Sequence, residues 1–227
     1  MLLIFGAFLC FLAEWGIGSP SHAACRVEQS AADAPFLALS ACDGRSPRTD
    51  ALRANDVQIL GTHNSYHVQP RVALSSAWRY THLSLAAQLD AGARSVELDV
   101  HWDPVFRTWS VYHEPLVDAG STCGCLSACL AAIWQWSLAH PGHAMLTLIV
   151  EPKYNIDALN PFRGGSAAIL SLQQAVTSQL PKSAIVTPQA LQGAAPTMRA
   201  ALSTCGWPAA DDVRGALMLV LDVWCVY

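Results

Sequence analysis

From residue 57 onward the chain alternates short β-branched apolar runs with longer runs of helical period, and this alternation constrains the fold more than any other feature. Strand candidates fall at 57–62, 94–101, 109–113, 146–151, 184–187 and 217–223. Residues 126–139 are the clearest helix. Leu126, Cys129, Leu130, Ile133, Trp134 and Leu138 recur there at helical spacing, and Pro141-Gly142 follows. Residues 84–91 form a shorter helix stopped by Gly92, and residues 166–180 a third, followed by Pro181. Strands separated by helices line up in parallel, so the predicted class is α/β, a (β/α) barrel of the TIM type. Six candidates within 57–223 give about 28 residues per strand unit, and eight such units need about 55 residues more than the chain has. The expectation is an incomplete barrel over residues 56–227, a truncated sequence with about six of eight strand units and open edges.

The chain has 227 residues, enough for one domain. It is 52% apolar and only 13% charged, which excludes intrinsic disorder. A net charge of −4 and a pI of about 6.0 give no basic face for nucleic acid. Residues 1–23 read as an export signal, with an apolar stretch at 2–12 and the small-x-small site Ser21-His22-Ala23, although no Lys or Arg precedes the stretch. The predicted location is secreted or periplasmic. No later apolar run approaches the ~18 residues of a membrane span, so no transmembrane segment is expected after signal removal. Residues 24–55 form an irregular extension containing Pro35, Gly44 and Pro47. Seven cysteines follow the signal: Cys25, Cys42, Cys123, Cys125, Cys129, Cys205 and Cys225. In an exported chain they are disulfide candidates, Cys25–Cys42 among them, and an odd number leaves one over. Cys123, Cys125 and Cys129 lack a fourth ligand at structural-zinc spacing. Nothing in the sequence specifies an oligomer.

Four blocks carry chemistry. Gly61-Thr62-His63-Asn64-Ser65-Tyr66-His67 begins where the first strand candidate runs out, and the carboxyl ends of barrel strands form the active face. A turn capped by Asn64 with a surface histidine is the plain alternative. In Ser95-Val96-Glu97-Leu98-Asp99-Val100-His101, alternation puts Glu97, Asp99 and His101 on one face and Val96, Leu98 and Val100 on the other. Two carboxylates pointing into a barrel repel and lose hydration unless a cation compensates. Oxygen donors suit a hard cation, Ca2+ or the less favoured Mg2+. The alternative is a solvated edge. The third block, Ser110-Val111-Tyr112-His113-Glu114-Pro115, brings a second histidine to a second strand end, as general acid–base chemistry often requires. In the fourth, Thr147, Ile149, Glu151 and Lys153 share a face. Glu151 would add a carboxylate to the cation, and Lys153 would bind a phosphate or simply pair with Glu151. His67, His82 and His101 are ambiguous, while Trp134 and Trp136 read as packing. No Gly-x-Ser-x-Gly elbow, Walker A loop or dinucleotide fingerprint follows a strand.

In this order the blocks resemble the phosphatidylinositol-specific phospholipase C superfamily, most of all its calcium-dependent bacterial and fungal branch. The matching text includes Gln58-Ile59-Leu60-Gly61-Thr62-His63-Asn64-Ser65-Tyr66-His67, Gln88-Leu89-Asp90-Ala91-Gly92-Ala93-Arg94-Ser95-Val96-Glu97-Leu98-Asp99-Val100, Tyr112-His113-Glu114-Pro115, His140-Pro141-Gly142-His143 and Glu151-Pro152-Lys153. Weaker matches follow at Val186-Thr187-Pro188 and Gly206-Trp207-Pro208. The resemblance implies a distorted barrel. His63 would stabilise the phosphorane-like transition state, and His113 would be the general acid. Asn64, Glu97, Asp99 and Glu151 would hold Ca2+, which would bind the phosphate and acidify the attacking inositol 2-hydroxyl. Glu97 or Glu151 would take that proton. The implied substrate is a phosphatidylinositol-type phospholipid at a membrane surface, cleaved to diacylglycerol and a cyclic inositol phosphate. A glycerophosphodiester or sphingomyelinase D-like phosphodiesterase, or an inactive truncated fragment, is the alternative. The glycerophosphodiester type has His-Arg at the first strand, and Asn64 speaks against it.

Overall fold

The strand at Ala93–Asp103 (β2) is the centre of the structure, a computed structural model that describes residues 51–103, 106–153 and 166–222. Its apolar parity face, Val96, Leu98 and Val100, is almost fully buried, as the alternation predicts. The leader at 1–23, most of the extension at 24–55, Cys25, Cys42 and Cys225 lie outside the described residues.

Leu60–Thr62 (β1), Leu146–Pro152 (β4) and Leu217–Leu221 (β5) join β2 in one parallel sheet of order β1-β2-β4-β5. Glu97 stands opposite Ile149, and Asp99 opposite Glu151. Gly61 lets β1 approach closely, since a Cβ there would stand 3.1 Å from that of Ser95. The helix Leu126–Ala139 (α2) matches its predicted range and buries Leu126, Leu130 and Ile133 against the apolar face of β2. The short helix Leu85–Asp90 (α1) begins where the Ser84 hydroxyl accepts from the Ala87 N–H. Ser166–Thr177 (α3) contributes Leu172 and Val176 to the same core.

Two strand expectations are corrected. Residues 109–113 do not form a parallel barrel strand. Thr108–Val111 (β3) turns back antiparallel on β2, pairing Val100 with Val111 and Asp103 with Thr108. Val100 also pairs with Pro152 of β4, so β3 lies on the opposite side of β2, beyond the end of β1. Only four residues separate β2 from β3, too few for the crossover that parallel strands need. Residues 184–187 hold a 3-10 turn and a single parallel bridge, Ile185 to Leu217, instead of a strand. The following Pro188 starts the helix Pro188–Gln192 (α4), capped by the Thr187 hydroxyl, and Met198–Cys205 (α5) comes after it. Both helices are too short to show a clear period in the sequence. Four strands rather than six are therefore parallel and sheet-forming, and among the described residues β1 and β5 do not pair with each other.

Cys123 and Cys129 form a disulfide, Cys205 is also disulfide-bonded, and Cys125 is free and buried. No helix among the described residues is long and apolar enough to cross a membrane.

Candidate active site and metal centre

The carboxyl ends of β1, β2 and β4 gather the predicted site residues. Past Thr62 the chain must turn sharply, and Asn64 adopts a left-handed conformation (φ 48°) that asparagine tolerates well. The turn is bolted to β2 and α1. The Ser65 hydroxyl accepts from the Glu97 N–H at 2.8 Å, and the Gln88 amide donates to the Ser65 carbonyl at 2.6 Å. His63 is left exposed, with Nε2 3.8 Å from Glu97 Oε2. The His82 ring meets the His63 carbonyl at 2.9 Å and steadies that loop. Asn64 is buried; its N–H donates to Glu97 Oε2 at 3.1 Å, and its Oδ1 accepts from the Tyr66 hydroxyl at 3.0 Å.

Glu97, Asp99 and Glu151 offer carboxylate oxygens within 4.8 Å of one another. Asp99 is fully buried. Lys153 Nζ lies 3.1 Å from its Oδ2 and 2.7 Å from Glu151 Oε1. Yet neither Asp99 oxygen has a hydrogen-bond partner of good geometry among the described residues. Burial pushes the Asp99 carboxyl up to about 6 against the opposing charge of Lys153. Burial alone would lower the Lys153 ammonium, but the bond to Glu151 and the charge of Asp99 hold it above its ordinary value. Burial and the adjacent Asp99 carboxylate drive the Tyr66 phenol far above its normal range, so it stays a neutral donor. Clustered oxygens, one pair unsatisfied and buried, fit a hard divalent cation by donor chemistry alone.

His113 reaches the same end by a route the sequence did not reveal. It sits two residues past β3, and because β3 runs backward it descends toward the end of β1. Its Nδ1 bonds Asp118 Oδ2 at 2.9 Å, and Asp118 also receives His67 Nε2 at 2.9 Å. His67 is fully buried and stacks on Tyr80 with ring centroids 4.2 Å apart. Asp118 was missed because it lies in an aperiodic loop; its spacing of five residues after His113 was the available signal. His101 is a packing residue, stacked on Tyr112 at 3.8 Å and lowered to about 4 by burial.

A cavity of about 530 Å3 lies elsewhere. It is lined by Ile59, Met145, Trp207 and Met218 near the amino ends of the strands, and it holds none of the predicted site residues. Clustered charge and histidine identify the site better than cavity size does.

The profile of the family described as "Phosphoinositide phospholipase C, Ca2+-dependent" matches residues 52–110 and 106–224. The chain belongs to this family, whose members are calcium-dependent phosphoric diester hydrolases. Among solved structures, a Ca2+-dependent phosphatidylinositol-specific phospholipase C from Streptomyces antibioticus is 27% identical, with a TM-score of 0.54 over 72% of this chain and 51% of that one. A calcium-dependent phosphoinositol-specific phospholipase C from a Pseudomonas species, in a myoinositol complex, is 22% identical and shares the fold, with a TM-score of 0.57 over 83% of this chain and 62% of that one. The chain thus spans between half and two thirds of these structures. No curated protein matches it in sequence.

Proposed function

We propose that the chain is a secreted calcium-dependent phosphodiesterase that cleaves phosphatidylinositol-type lipids at a membrane surface into diacylglycerol and a cyclic inositol phosphate. The observation that carries this reading is the Glu97–Asp99–Glu151 cluster, within 4.8 Å and with Asp99 unsatisfied, with His63 Nε2 3.8 Å from Glu97. Family membership supports the calcium dependence. The apolar stretch at residues 2–12 and Ser21-His22-Ala23 support export, with an irregular segment at 24–55 preceding the barrel residues at 56–227.

Asn64, Glu97, Asp99 and Glu151 would hold the cation. When bound, Ca2+ neutralises phosphate charge and makes an adjacent hydroxyl easier to deprotonate. Glu97 takes the proton of the inositol 2-hydroxyl as its oxygen attacks phosphorus. Exposed His63 stabilises the charge that grows on the phosphoryl oxygens. His113 donates a proton from Nε2 to the diacylglycerol oxygen as the phosphorus–oxygen bond breaks. His113 Nε2 has no hydrogen-bond partner among the described residues, so it is available. Lys153, between two carboxylates, would meet a phosphate oxygen once the cation takes its acidic partners.

The test is substitution. His63→Ala and His113→Ala should each lower phosphatidylinositol cleavage by about 100-fold or more while the protein still melts cooperatively. Wild-type rates in either folded variant would remove that histidine from the chemistry.

A further inference from the structure

Asp118 sits between two imidazoles and is itself fully buried. Its Oδ2 lies 2.9 Å from His113 Nδ1 and its Oδ1 2.9 Å from His67 Nε2. We propose that Asp118 is the positioning residue for His113 and that a doubly protonated His67 holds Asp118 in place, an inference that rests on His113 being the acid of the proposed reaction.

Hydrogen-bond accounting leads there. The other nitrogen of His67, Nδ1, faces the Tyr80 carbonyl at 2.9 Å, and a carbonyl can only accept. With Asp118 ionised, as the proposal has it, its oxygens also only accept, and both His67 nitrogens then carry protons. The resulting imidazolium offsets the cost of a buried carboxylate. The same logic sets His113. Asp118 has no proton to give, so Nδ1 carries one, and Nε2 is the nitrogen that faces the reaction. After Nε2 has given its proton to the leaving oxygen, the neutral ring keeps its Nδ1–H on Asp118.

The backbone is built to deliver Asp118. Glu114 and Asp118 exchange backbone bonds at 3.0 Å, closing a tight turn next to His113, with Leu116 at φ 66°. The far side of the loop pairs with the His67 segment. The Val68 N–H donates to the Gly120 carbonyl at 3.2 Å and the Thr122 N–H to the Tyr66 carbonyl at 2.7 Å. Any Cβ at Gly120 would collide with the Val68 carbonyl, so glycine is required for this approach. The turn and the strand-like pairing fix Asp118 from both sides.

The experiment compares Asp118→Asn with the wild-type full chain on two substrates. With phosphatidylinositol, kcat should fall about 100-fold or more and KM should stay within about threefold, because an amide that donates to Nδ1 leaves the neutral ring protonated on Nε2 and disfavours the imidazolium that the acid must be. With an inositol phosphodiester of a nitrophenol, which leaves unprotonated, the fall should shrink below about tenfold. An equal loss on both substrates, or a loss in KM alone, would overturn the proposal. If Asp118→Asn does not fold, His67→Gln is read instead, with a smaller fall and the same dependence on the leaving group. A second readout needs no activity. Long-range 1H–15N spectra of the wild type should show His67 protonated on both nitrogens and the neutral ring of His113 protonated on Nδ1. A neutral His67 with a proton on Nε2 of neutral His113 overturns the positioning role even if the chain cleaves no lipid.

Discussion

Asp99 concentrates the cost of this site. Its carboxylate is buried without a satisfying donor, touches Lys153 only as a charge, and lies beside Glu97 and Glu151. Removing that charge should relieve the metal-free protein and disable the metal-bound one. Asp99→Asn is expected to melt no lower than wild type in chelator. Wild type should gain about 2.7 kcal/mol at a calcium concentration 100-fold over its Kd, and the variant close to none. Calorimetric titration and thermal melts check both halves; an unchanged calcium response in the variant would take Asp99 out of the metal site. At this scale the sequence was informative where strand parity governs. Glu97 and Asp99 face the cluster because alternation in β2 admits no other arrangement once Val96, Leu98 and Val100 are buried. Asp118 and Tyr66 were not legible, because loop geometry and not periodicity brings them to their partners.

Among the elements, the hairpin of β2 and β3 shows where pattern reading stops. A run such as 109–113 looks the same whether it pairs parallel or antiparallel, and only the four-residue connection to β2 carries the difference. Residues 184–187 read as a strand for their apolar character, yet they make one bridge at the margin of β5 before Pro188 opens a helix. The helix Leu126–Ala139 was fully legible because its period is unbroken and its end is marked by Pro141-Gly142. The turn beyond that helix carries a pH dependence. His143 is buried, with Nε2 at 2.7 Å from the Ser137 hydroxyl and Nδ1 at 2.8 Å from the Ala144 carbonyl, so both nitrogens are satisfied by a neutral ring. Burial lowers its pKa. The unfolded chain then takes up a proton first as pH falls below about 6.5, and the stability from this group, full above that pH, is lost on acidification. Wild type should lose up to about 1.4 kcal/mol per pH unit below that point through this residue. Denaturant melts at pH 7 and pH 5.5 should show a smaller loss in His143→Gln; an equal loss would mean that His143 does not titrate on unfolding.

For the molecule as a whole, four parallel strands bring the predicted site residues to one end, and among the described residues the outer strands β1 and β5 do not pair with each other. Leu60, Val220 and Leu221 are exposed on those outer strands. The chain covers 51% of the Streptomyces structure and 62% of the Pseudomonas one, and the residues that the family profile matches, 52–110 and 106–224, include both histidines and all three carboxylates. The proposal to be tested is that this portion assembles a calcium-dependent phosphodiesterase centre. The most direct measurement is 31P NMR of phosphatidylinositol vesicles incubated with the purified chain, once with calcium and once with chelator. The account predicts loss of the lipid signal and growth of a cyclic inositol phosphate signal with calcium, and an unchanged lipid signal in chelator. Equal cleavage in both samples, or intact lipid in both, would contradict it.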